Sequence, residues 1–81
     1  MSQPIGQFDK VRIVALRAPR AGPLVGSRSP QVGDVATVVD VYDHPPGYEL
    51  ECVTPQGETL WLESFAHDEV SLELLGNPRA Y

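Results

Sequence analysis

Ser64, His67 and Asp68 carry the letters of a hydrolytic triad within one short stretch. A serine nucleophile needs a histidine base within hydrogen-bond reach and a carboxylate behind it, normally assembled from separate segments. Near neighbours at a strand end do not converge in that way. His44, Cys52 and His67 offer nitrogen and sulfur ligands, yet no pair has the spacing of a zinc site. The two histidines read as ordinary turn residues. Cys52 reads as a small core hydrophobe with an inert thiol. With no convincing nucleophile or acid/base pair, the expectation is a non-enzyme with no catalytic residue, no metal and no cofactor.

Residues suited to binding are easier to find. Arg17, Arg20 and Arg28 lie on a Pro/Gly-rich loop, where planar guanidinium groups could grip carboxylates or phosphates. Solvated arginines, some of them paired with Glu49, Glu51 or Glu63, are the plainer expectation. Trp61 stands between Leu60 and Leu62. If both leucines face inward, alternation turns the tryptophan outward, where Tyr42, Phe65 or Tyr48 could complete an aromatic platform of the kind that anchors interfaces. The competing expectation is that the long loop folds over Trp61 as a second small core. Glu49, Glu51, Glu58, Glu63 and Glu69 form an acidic row that solubilises the surface or faces a basic partner protein.

Charge is segregated along the chain. Residues 1–28 carry five cations against one acid, and residues 29–78 carry ten acids with no Lys or Arg, within a net charge of −5. This arrangement suits either an oriented contact with a partner or neutralisation of one half by the other inside the fold. A phosphate-binding protein usually shows a basic face, so nucleic acid is disfavoured as partner.

The chain has 81 residues, enough for one small domain but little room for a deep pocket. Hydrophobic residues make up 42% and charged residues 21%, an ordinary globular composition. The single Cys52 excludes an intrachain disulfide, the staple that secreted domains of this size commonly need. The stretch MSQPIGQFDK lacks a basic region followed by an apolar core, and no apolar run approaches a membrane span. A cytoplasmic, bacterial-type protein with no membrane association is the expectation.

The elements that must position these residues read as β-strands. An arm over 1–6 precedes a first strand over 7–16, where Val11, Ile13 and Ala15 alternate with Lys10, Arg12 and Val14. Residues 17–31 hold three Pro and two Gly and make a long loop, with Leu24 and Val25 as its apolar anchor. Gly33-Asp34 opens a second strand over 35–42 that is apolar on both faces, a property suited to a bend between sheets. A turn over 43–47 leads to a third strand over 48–53, with Tyr48, Leu50 and Cys52 inward. A tight hairpin over 54–58 leads to a fourth strand over 59–65, with Leu60 and Leu62 inward. Ala66 to Glu69 suits one 3₁₀ turn, 70–75 a last strand with Val70, Leu72 and Leu74 inward, and 76–81 a tail. Many turns and short strands predict an all-β fold, with a body over 7–75.

This order of strands and loops resembles the SH3-like small barrel. The segments VGDVATVVDVY, GYELEC and QGETLWL with AHDEVSL resemble a family of short bacterial proteins grouped as a domain of unknown function. The family pattern runs G-D-x-G-T-V-V-x-V-Y, then G-Y-x-V-E-F, then D-G-E-T, and the resemblance covers roughly residues 7–74. Ala36 stands where the pattern has Gly, Cys52 where it has an aromatic residue, and Gln56 where it has Asp. The resemblance implies an SH3-like or nitrile-hydratase-β-like fold and no particular chemistry. Two functions are then expected. The first is a protein-interaction module of inhibitor, immunity, antitoxin or accessory type that uses Trp61, Tyr42 and the arginine loop, with the acidic row setting orientation. The second is an RNA-binding barrel of the KOW kind, suggested by the G-D-x-x-T-V-V strand.

Overall fold

The computed structural model describes residues 5–17 and 25–76. The described chain forms five strands: β1 Lys10–Leu16, β2 Val35–Asp43, β3 Pro46–Val53, β4 Thr59–Ala66 and β5 Val70–Gly76. They lie in one antiparallel sheet of order β4-β3-β2-β1-β5. The described residues include no helix, and so none long and apolar enough to cross a membrane. The all-β class and the places of the five strands follow from alternation of β-branched and polar residues. β4 and β5 do not pair with each other, so the sheet is open. Its β4 edge is met instead by the loop, where Gly26 bridges Trp61 and the Ser27 and Arg28 amides donate to the Leu60 carbonyl.

The core follows from cross-strand register. Val11 lies opposite Ala36, Cys52 opposite Trp61, and Val38 opposite Leu50. Ile13, Phe65 and Val70 complete the buried set, with Ile5, Leu72 and Leu74 packed against it. The Trp61 and Phe65 rings meet edge to face, with centroids 6.1 Å apart, a favoured aromatic geometry. Ile5, in the expected arm, thus lies on the core, and Gly76, in the expected tail, ends β5 opposite Lys10.

Three expectations about faces are corrected. Trp61 is not outward: it is 0% exposed, and Leu60 and Leu62 are the half-buried neighbours. The register puts Trp61, Glu63 and Phe65 on the core face, because burying two large rings gains more than burying two leucines. β2 does not bury both faces. Ala36 and Val38 are buried, while Val35 and Val41 are exposed. A bulge between Val38 and Asp40 shifts the phase, so Tyr42 lies opposite Gly47 on the side away from the core. Val25 is exposed rather than an anchor, and Leu24 lies outside the described residues. The loop is held by Gly26 backbone instead.

Two glycines make these contacts possible. Gly26 has φ 99°, and a Cβ there would collide with the Leu60 carbonyl. A Cβ on Gly47 would collide with the Phe65 carbonyl across the ladder. The turns are ordinary: Gly57 N–H donates to the Thr54 carbonyl at 2.9 Å, and Glu69 N–H to the Ala66 carbonyl at 3.0 Å. The latter is an i to i+3 bond at the site of the expected 3₁₀ turn. Gly26→Ala and Gly47→Ala are each expected to lower the unfolding free energy by about 2 kcal/mol or more, as overpacked sites do. Urea denaturation followed by Trp61 emission measures this, and the native emission should be blue-shifted and resistant to a soluble quencher.

Candidate functional site

The arginine loop and the tryptophan meet at Asp34. Its Oδ2 accepts from Trp61 Nε1 at 2.9 Å, from Arg28 Nη1 at 2.8 Å and from the Gln31 amide at 2.9 Å. Its Oδ1 accepts from Arg28 Nη2 at 2.9 Å. The guanidinium therefore holds the carboxylate by both nitrogens, the strong planar form of this pair. The backbone locks the same residue to β1, since Ile13 N–H donates to the Asp34 carbonyl and Gly33 N–H to the Ile13 carbonyl. Burial alone would raise the Asp34 pKa, but the bonds from Arg28, Gln31 and Trp61 outweigh it and hold the carboxyl below its ordinary 3.8. Arg28 is thereby an internal brace rather than an open cation.

The other cations are also engaged. Arg12 pairs with Glu73 at 2.8 Å, and Lys10 donates to Thr37 Oγ1 at 3.2 Å. The Arg17 guanidinium donates to Ser71 Oγ, and its amide to the Glu69 carbonyl. Arg20 lies outside the described residues. The acidic row is mixed. Glu51 accepts from Thr59 Oγ1 at 3.0 Å, Glu69 caps the Ala66 amide at 2.9 Å, and Glu63 is buried. Glu49 lies opposite Asp40 on one side and Ser64 on the other, on the outer face.

That outer face holds an open groove of about 410 Å³ at the far ends of β2, β3 and β4, lined by Tyr42, His44, Pro45, Gly47, Ser64 and Ala66 among others. Gly47 and Ala66 leave the floor low, and Tyr42 and Ser64 rise beside them with their hydroxyl oxygens 3.5 Å apart. A second hollow of about 380 Å³ continues over Pro45, Pro46, Ala66, His67 and Asp68. His67 stacks on Tyr48, with ring centroids 4.6 Å apart, while Ser64 faces Tyr42. The serine and the histidine thus serve different partners. Cys52 is buried, and burial first, then Asp34, pushes its thiol pKa up.

Tyr42, Glu49 and Ser64 therefore share one face, while Trp61, Arg28 and Asp34 belong to the packing. Asp34 and Gly47 are the positions that residue patterns underrated. A lone tryptophan needs an acceptor for its indole N–H, and an Asp between a turn glycine and the second strand can supply that acceptor. Asp34→Ala leaves the buried indole without its acceptor and should lower stability by roughly 2–4 kcal/mol. Asp34→Asn keeps one acceptor oxygen for the indole but loses the charge and one of the two bonds from Arg28, so its loss should be smaller, nearer about 1–2 kcal/mol. Because the folded Asp34 pKa is depressed, its stabilisation is present above 3.8 and is lost as pH falls through the folded value. The stability gap between the native chain and Asp34→Asn should therefore close in acid, as chemical denaturation across the acid range would show.

Comparison with protein-family models, with curated proteins and with solved structures gives no match to this chain.

Proposed function

We propose that the chain is a non-enzymatic protein-binding module, built on an SH3-like sheet, that receives a basic segment of a partner protein in the Tyr42 groove. The observation that carries this is the division of charge. Lys10, Arg12, Arg17 and Arg28 are all engaged with the chain's own groups, while Glu69 lines the groove and the paired Asp40 and Glu49 follow along the same outer face. A guanidinium or ammonium can lie over the Tyr42 ring and be steered there by these acids. The low Gly47–Ala66 floor leaves room for the stem of such a side chain, which packs its methylenes on apolar surface. The strand order β4-β3-β2-β1-β5, with β2 bulged at its middle, supports the SH3-like arrangement that the sequence resemblance implies.

Accessory-subunit, inhibitor and immunity-type roles all fit a module of this kind. A KOW-like RNA-binding barrel fits less well. It needs free cations along a groove, and a phosphate backbone would here meet carboxylates.

The test is a titration of the ¹⁵N-labelled chain with the blocked hexapeptide Val-Arg-Val-Arg-Val-Arg. Amide shifts should centre on Tyr42, Gly47, Ser64 and Ala66, and affinity should fall with added salt. Tyr42→Ala should weaken binding roughly tenfold while leaving the unfolding midpoint in place. Shifts scattered over every acidic residue, or equal binding of a Val-Glu hexapeptide, would sink the proposal.

A further inference from the structure

The turn before β1 holds an aromatic residue in an unusual position. Phe8 has φ 71°, a left-handed backbone that a bulky side chain rarely adopts, and it is 56% exposed. The turn is over-determined. Asp9 N–H donates to the Gly6 carbonyl at 3.1 Å, the buried Asp9 Oδ2 accepts from the Gly6 amide at 2.8 Å, and Phe8 N–H donates to the Val38 carbonyl at 2.6 Å. Glycine or asparagine would sit there with less strain. The isolated chain gains little burial from the phenylalanine ring.

The edge of β2 beside this turn is equally unusual. β1 pairs with Val35 to Thr37, and the turn reaches Val38. From Val39 to Asp43, no strand among the described residues pairs with β2 on that side, while β3 takes the other. Side chains stand in for a strand there: Gln7 Nε2 donates to the Val39 carbonyl at 3.1 Å, and Asp40 Oδ1 accepts from the Val41 amide at 2.9 Å. Both bonds are at the surface and can be exchanged. Short, charged and side-chain-covered edges are how sheets avoid adventitious pairing.

We infer that the β2 edge from Val39 to Asp43 takes up an extended segment of a partner protein as an added strand, with Phe8 as its apolar anchor. This rests on the groove proposed above and names how that groove's occupant is held. An added strand puts alternate side chains on opposite faces. One set would lie beside exposed Val41 and Phe8, and the other beside Asp40, Tyr42 and the groove. The occupant is therefore an alternating apolar and basic segment. Its basic character follows from Asp40 and Asp43 on the edge and Glu49 opposite Asp40. A second copy of this chain is disfavoured as occupant, because its own acidic edge would face these acids.

Strand addition requires the peptide's backbone amides, which side-chain docking does not. The probe is the same Val-Arg hexapeptide and two versions of it, N-methylated at the valine or at the arginine nitrogens. One methylated version should lose affinity at least about tenfold and the other should keep it, since only alternate amides face the edge. Phe8→Ala should weaken the unmethylated peptide roughly tenfold while the unfolding midpoint holds or rises. Binding at the groove that neither methylation nor Phe8→Ala changes would overturn the strand and leave the groove standing. No binding of any version would overturn both. A dimer in sedimentation that Phe8→Ala dissolves would overturn the partner segment in favour of a second copy.

Discussion

The bond from the Trp61 indole to the Asp34 carboxylate is the constraint on which the rest of the structure depends. An indole buried to 0% exposure leaves one N–H that must find an acceptor away from water. A carboxylate satisfies it but brings a charge into a half-buried place, and Arg28 balances that charge from the loop. Trp61 comes from β4, and Asp34, directly before β2, and Arg28 come from the segment between β1 and β2. Fixing them together seats Gly26 against Leu60 and covers the β4 edge. The largest side chain of the core and the position of the loop are thus one event.

The β2 bulge is the second organising feature. Before it, β2 shares its ladder between β1 and β3, and its buried residues complete the main core. After it, β2 belongs to β3 alone, and the phase change turns Tyr42 and Asp40 to the outer face. The groove and the open edge both lie in this second half. One extra residue in a strand therefore separates a part of the sheet that holds the fold from a part that is available to a partner.

The strands were legible because β-branched residues alternate with polar ones between clear turn signals, as in Val11–Arg12–Ile13 and Tyr48–Glu49–Leu50. The face of β4 was not. Leu60 and Leu62 alternate as well as Trp61 and Phe65 do, and Glu63 argues locally against the face that is in fact buried. Only the cross-strand register, set by Cys52 and Leu50 on β3, decides between them. The fate of Arg28 was hidden for a similar reason, since a charged residue on a loop gives no local sign of which carboxylate it will meet. Tyr42 could be picked out as a candidate, but the bulge that turns it outward has no glycine or proline to mark it. The neutralisation of the basic first third by the acidic remainder was visible as charge counts. Its pairings, Arg12 with Glu73 and Arg28 with Asp34, needed the topology.

The place of β1 between β2 and the edge strand β5 has a bearing on how the chain comes to be folded at all. Its partners are β2, just after the loop, and β5, at the far end of the described chain, with Lys10 opposite Gly76. Closing so long a stretch of polypeptide loses chain entropy before any contact offsets it, and such topologies assemble slowly. On a ribosome, β1 is made first and its second neighbour last. A nascent fragment that stops short of β5 leaves Val11 and Ile13 without part of their cover, so the fold is reached only when synthesis of the body is essentially complete.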